Sequence, residues 1–194
     1  MASAQAISLD RMVRAVEKVR ERLLRAVRAL EGARVPYAIA GGNAVAAWVT
    51  TVDEAAVRNT RDVDVLIRRQ DMELVRRALE GVGFVYRHTA NLDVFLDGPD
   101  AKVRDAVHVI FANEKVREHE SMANPGVEES EAASEFRVIS LKSLVQIKLT
   151  AFRDKDRTHL RDMLDVGLID KSWVSDLPTD LGQRLQSLID DPNG

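Results

Sequence analysis

Asp62 and Asp64 stand one residue apart, and that spacing carries the first suggestion of chemistry. On an extended strand, residues i and i+2 project from the same face, so the two carboxylates lie side by side. Val63, Val65 and Ile67 then turn to the opposite face, towards a core. Adjacent carboxylates repel one another unless one is protonated or a cation bridges them. Mg²⁺ is suited to that task, because it takes one or two carboxylates together with substrate phosphates. Upstream, Gly41-Gly42 closes an apolar run and opens a helical one. Glycines at such a junction let backbone N–H groups approach an anion at the positive end of a helix dipole. The Asn43 amide can also donate to a phosphate oxygen. A phosphate cradle beside a metal pair is what nucleoside triphosphate chemistry requires.

Two further residues join this set by pattern. Over 141–152, Leu141, Leu144, Val145 and Phe152 form an apolar seam at helical spacing, and Lys148 falls inside it. A lysine on an inner face needs an acidic partner or an aqueous cleft, and a phosphate in the cleft is the expected partner. Lys155, Asp156, His159 and Asp162 present a second polar cluster beyond it. His108 is the central polar residue of the run Ala106-Val107-His108-Val109-Ile110-Phe111. A histidine there can ligate a softer metal such as Mn²⁺, act as a general base, or hydrogen-bond within a sheet.

These residues need elements to hold them. Leu9, Met12, Val13, Val16, Val19, Leu23, Val27 and Leu30 recur at helical spacing, which predicts a long amphipathic helix over 9–31. A short strand is expected over 35–40, a helix over 43–49, a loop with room for a helical turn over 50–60 and a strand over 63–67. A helix over 72–82 precedes three strands over 84–87, 92–96 and 106–111. The acidic stretch 113–135 reads as a surface excursion, 136–139 as a last short strand, and the remainder as helical after a Ser140 cap, with a break expected near Asp154. The result is an α+β fold: a mixed β-sheet flanked by helices, with a helical C-terminal region. Residues 1–32 form an N-terminal helix packed on the core, 33–152 the core, and 153–194 a helical extension.

Composition narrows the function. The 194 residues include 45% apolar and 30% charged types, with a net charge of −3, which suits a soluble globular protein rather than a nucleic-acid coat. The absence of cysteine removes disulfides, thiol nucleophiles and cysteine zinc sites, and fits a reducing cytoplasm. His88, His108, His119 and His159 lack zinc-ligand spacing. No stretch is long and apolar enough to span a bilayer. Arg11, Arg14, Lys18, Arg22 and Arg25 fall on one helical stripe, interrupted by Glu17 and Glu21, where a tRNA-like acceptor could lie through phosphate contacts.

The run Ala40-Gly41-Gly42-Asn43-Ala44, followed by Thr60-Arg61-Asp62-Val63-Asp64-Val65-Leu66, resembles the glycine-pair and Asp-x-Asp motif of the DNA polymerase β-type nucleotidyltransferases. Lys148-Leu149-Thr150-Ala151-Phe152-Arg153-Asp154-Lys155-Asp156 resembles the lysine and Arg-x-Lys-Asp segment of AbiEii-like bacterial proteins, a family that includes toxins of toxin–antitoxin and phage-defence systems. The resemblance runs from residue 35 to residue 165. It implies that Asp62 and Asp64 hold Mg²⁺ (or Mn²⁺) on an NTP, while Gly41, Gly42, Asn43 and Arg61 bind its phosphates. An acceptor hydroxyl attacks the α-phosphate and pyrophosphate leaves. Lys148 stabilises the phosphate charge and Asp156 fills the acidic position after it.

The sequence departs from that pattern in three places. Asn43 stands where serine is frequent, and the spacing from Gly42 to Asp62 implies an inserted loop over 51–59. A third carboxylate is expected on a later strand, where this chain has His108, with Asp93 in reserve on the preceding strand. The leading expectation is therefore a metal-dependent transferase moving NMP from NTP to tRNA, protein or a small molecule, with an antitoxin partner if it is toxin-like. A catalytically degenerate nucleotide-binding module and an antibiotic-type small-molecule transferase are the alternatives.

Overall fold

The computed structural model describes residues 8–89 and 92–192. The elements run α1 (Leu9–Gly32), β1 (Tyr37–Ala40), α2 (Gly41–Thr50), β2 (Val63–Ile67), α3 (Met72–Glu80), β3 (Val85–Thr89), β4 (Leu92–Leu96) and β5 (Val107–Phe111). They continue through β6 (Ser130–Ala132), β7 (Arg137–Ile139), α4 (Leu141–Ala151), α5 (Asp154–Asp165), α6 (Trp173–Asp176) and α7 (Thr179–Asp190). The strands form one mixed seven-stranded sheet in the order β3-β4-β5-β2-β1-β7-β6. β2 pairs antiparallel with β1 and parallel with β5, and β1 pairs parallel with β7. The α+β expectation holds.

Strand alternation divides the interior in two. Val63, Val65 and Ile67 of β2, with Tyr37 and Ile39 of β1, pack under Leu23, Val27 and Leu30 of α1 and Val75 and Leu79 of α3. Leu66 and the two small residues Ala38 and Ala40 face the other way, against α2, α4, α5 and α7 through Val45, Leu144, Leu160 and Leu185. Residues beyond 152 thus share one apolar cluster with the sheet and with α2.

Four local features, two of them departures from the sequence reading, have physical causes. The first three turns of α1 extend past the core, leaving Leu9 at 72% and Met12 at 63% exposure, so half of its apolar stripe is unburied. The stretch expected as a surface excursion contains β6, which pairs with β7 and lies beside buried Val127. The loop after α2 includes a single 3₁₀ turn over Glu54–Ala56, begun by the Asp53 side chain accepting from Ala55 N at 2.8 Å. Finally, α4 stops at Phe152, which adopts the left-handed conformation with φ 47°. The chain reverses there, and α5 starts with its first turn folded back over α4.

Candidate metal centre

The site grows from the ends of β1, β2 and β5. Asp62 immediately precedes β2 and Asp64 is its second residue. The parallel register sets Asp64 opposite His108 on β5. One ligand atom from each of Asp62, Asp64 and His108 lies within 4.8 Å of the others. His108 Nδ1 is 3.7 Å from Asp64 Oδ1, and its Nε2 is 2.8 Å from Val103 O. A carbonyl can only accept, so Nε2 carries the ring proton in the neutral histidine, leaving the Nδ1 lone pair turned towards the aspartates. Two carboxylate oxygens and one imidazole nitrogen are a suitable donor set for a divalent cation.

Both glycines serve the aspartates sterically. Gly41 has φ +60°, a left-handed conformation that favours glycine, and a Cβ there would overlap Asp64 Oδ2. A Cβ on Gly42 would press on the Thr60 side chain. Thr60 Oγ1 in turn donates to Asp62 Oδ1 at 2.5 Å. The glycine pair therefore lets the carboxylates sit against the start of α2.

Asp62 and Asp64 are driven in opposite directions. Burial works to raise the Asp62 carboxyl, but the Thr60 hydrogen bond and the Lys155 charge outweigh it and hold the group below the ordinary carboxylate range. Burial pushes the Asp64 carboxyl up, and repulsion from Asp62 adds to it, against His108, Lys148 and Lys155. Lys155 Nζ lies 3.4 Å from both Asp62 oxygens.

Behind this front lies a buried ionic cluster. Lys148, on the inner face of α4 as its position in the seam predicts, donates to Asp156 Oδ1 at 3.0 Å. Arg153 Nε donates to Asp156 Oδ2 at 2.7 Å, and the Arg153 backbone N–H donates to the same oxygen at 3.3 Å. Burial lowers the Lys148 ammonium, opposed by Asp156 and Asp64. Burial works to raise Asp156, but Arg153 and Lys148 prevail and lower it. His159, one turn further along α5, has a buried Nδ1 with no partner among the described residues. Burial, then the charges of Lys148 and Lys155, bring it down to about 4.

A cavity of about 720 Å³ opens over these groups, lined among others by Gly41, Asp62, Asp64, His108, Lys148 and Lys155. Some residues expected to serve it are engaged with other partners. Asn43 donates through Nδ2 to Asp62 O at 2.8 Å, so its amide secures the aspartate backbone instead of facing a phosphate. Arg61 turns outward to Asp105, with Nε 3.0 Å from Oδ1. Asp93 lines the cavity, but its Oδ1 accepts from Tyr86 Oη at 2.6 Å and lies 3.0 Å from His88 Nδ1, which removes it from the ligand group. The basic stripe of α1 is also broken: buried Arg22 reaches Asp97 and Arg61 O, and Arg25 pairs with Asp97 while stacking over Phe84. Thr60 and Lys155, named in the sequence reading without a role at the site, both reach Asp62. The direction of Lys155 depends on the reversal at Phe152, which residue spacing does not locate.

No family model matches the chain, and no curated protein matches it by sequence. Solved structures do. The crystal structure of ANT(2″)-Ia in complex with adenylyl-2″-tobramycin aligns with 92% of this chain and 99% of that one, at 15% identity and TM-score 0.53. A solution structure of the same antibiotic-resistance factor covers 94% of this chain and 93% of that one, at 15% identity and TM-score 0.51. A candidate nucleotidyltransferase from H. pylori covers 96% and 80%, at 14% identity and TM-score 0.53. This is the nucleotidyltransferase fold. Within it, this chain presents Asp62, Asp64 and His108 at the junction of β1, β2 and β5. No helix among the described residues is long and apolar enough to cross a membrane.

Proposed function

We propose that the protein is a metal-dependent nucleotidyltransferase that moves NMP from an NTP to a hydroxyl of a small-molecule acceptor. The observation that carries this reading is the convergence of Asp62, Asp64 and His108, with Lys155 alongside, on the wall of one cavity. A divalent cation held by the three residues would neutralise phosphate charge and polarise the α-phosphate for attack. The start of α2, opened by the Cβ-free Gly41 and Gly42, offers backbone N–H groups to the phosphates. Lys155, half exposed and beside Asp62, is the ammonium able to swing onto them. Lys148 is committed to Asp156 and acts as a positioning residue that holds α5 and Lys155 against the site.

The acceptor oxygen attacks the α-phosphorus in line, the bridging bond to the β-phosphate breaks, and pyrophosphate leaves with the electron pair. The acceptor's proton passes to the Asp64 carboxylate, which lines the cavity. The cavity is of a size suited to a nucleotide with a small partner. ANT(2″)-Ia, of nearly the same length, is described with an adenylylated aminoglycoside.

The Lys148–Arg153–Asp156 cluster favours a second reading. It is drawn from the run that resembles AbiEii-like proteins, whose toxin members would act on tRNA or protein and be restrained by an antitoxin. Expression in a bacterial host separates the two: growth arrest relieved by Asp64→Asn supports the toxin, and unaffected growth supports the small-molecule enzyme.

Transfer itself is tested by incubating the protein with each α-labelled NTP, Mg²⁺ or Mn²⁺, and either aminoglycosides or total RNA. Transfer should fall at least about 100-fold in Asp64→Asn. NTP binding without transfer to any acceptor would point to the degenerate module.

A further inference from the structure

We infer that His108 is a metal ligand through Nδ1 and makes this centre select Mn²⁺ over Mg²⁺; the inference rests on the metal-dependent reading above. Three observations meet at that nitrogen. First, the β2–β5 register pairs Asp64 with His108, so the two side chains project side by side from the same face of adjacent strands. Second, the Nε2–H is held by Val103 O at 2.8 Å, which sets the ring's orientation and leaves Nδ1 as the free donor. An outer hydrogen bond of this kind fixes both the tautomer and the aim of a ligating histidine. Third, Nδ1 stands 3.7 Å from Asp64 Oδ1, beyond hydrogen-bond distance, so the two atoms are spaced as separate donors and not as a hydrogen-bonded pair.

The donor set has consequences that three carboxylates would not. An imidazole nitrogen is a good ligand for first-row transition ions, whereas Mg²⁺ favours oxygen and retains its waters. Asp62, Asp64 and His108 each present one ligand atom within 4.8 Å of the others, a single donor set for one ion. The centre therefore binds a single ion per chain before nucleotide arrives, and the nitrogen sets which ion.

Calorimetric titration of the intact protein with Mn²⁺ and with Mg²⁺, without nucleotide, tests this directly. The expected result is one Mn²⁺ site, with the Mn²⁺-over-Mg²⁺ affinity ratio dropping about tenfold in His108→Asp. Electron spin-echo modulation of Mn²⁺ bound to the unaltered protein should show a directly coordinated ¹⁴N. This signal needs no variant to fold. Mn²⁺ bound without a ¹⁴N coupling, or a ratio unchanged in His108→Asp, would overturn the role of His108 and leave the metal-dependent reading standing. Failure of both ions to bind, with Asp64→Asn indistinguishable from the unaltered protein, would overturn both.

Discussion

Gly41 must satisfy two demands at once: it begins α2 in a left-handed conformation, and it leaves room for the Asp64 carboxylate where a side chain would begin. Gly41→Ala meets neither. The φ penalty alone is about 1–2 kcal/mol for a residue with a Cβ, and the methyl would displace Asp64 from its ligand position. The expected outcome is loss of Mn²⁺ binding by calorimetry, with a folded protein of lower urea midpoint. His159 gives a second test at this scale. Its folded value of about 4 lies below the ordinary 6.5. Between these values the unfolded chain takes up a proton that the folded one refuses, so stability is level above the window and falls as pH drops through it. The loss amounts to roughly 3 kcal/mol. Lys148 and Lys155 face His159 and favour the neutral ring, against Asp156 and Asp62. Urea unfolding of His159→Leu as a function of pH should show this slope removed, whatever the variant's stability at neutral pH.

At the scale of elements, helices with a regular apolar period were legible in the sequence, and irregular conformations were not. α1, α3 and α4 could be read from their spacing, as could β2 and β5 from their branched apolar residues. A break near Asp154 was legible, but the left-handed residue that makes it, Phe152, was not, because a left-handed aromatic leaves no compositional mark. β6 is Ser-Glu-Ala, without strand propensity, and exists because β7 offers it an edge. Periodicity also overstated α1. Its stripe predicts burial throughout, yet only the second half meets α3 and the sheet, where Arg22 ties it to Asp97. Leu30, fully buried, and Leu9, at 72% exposure, therefore make an internal control. Leu30→Ala should lower unfolding free energy by about 3 kcal/mol, and Leu9→Ala should change it by no more than about 0.5 kcal/mol. Equal losses would mean that α1 is covered along its whole length.

Across the whole molecule, the site depends on the meeting of central strand ends and a helical block, which the family resemblance joined and residue spacing alone could not. Asp64 and His108 each read as strand residues, but two intervening strands separate them in the chain, and only the parallel β2–β5 register makes them neighbours. The Lys148–Asp156 pair does the same for α4 and α5, and through α5 it sets Lys155 beside Asp62. That pair supplies an asymmetric test of whether fold and site are coupled. In Lys148→Met, Asp156 keeps Arg153, so the remaining charge is still paired. In Asp156→Leu, the buried Lys148 ammonium loses its hydrogen bond and has the Asp64 charge as its remaining favourable influence. Stranding a buried charge typically costs about 3–5 kcal/mol, so Asp156→Leu should be the more destabilising variant by urea unfolding. The double variant should recover part of that loss, because an apolar pair replaces the ionic one without an orphan. If α5 positions Lys155 as proposed, even the recovered double variant should show a raised KM for NTP while retaining Mn²⁺ binding. A double variant with unchanged KM would separate the ion pair from the site and confine its role to the core.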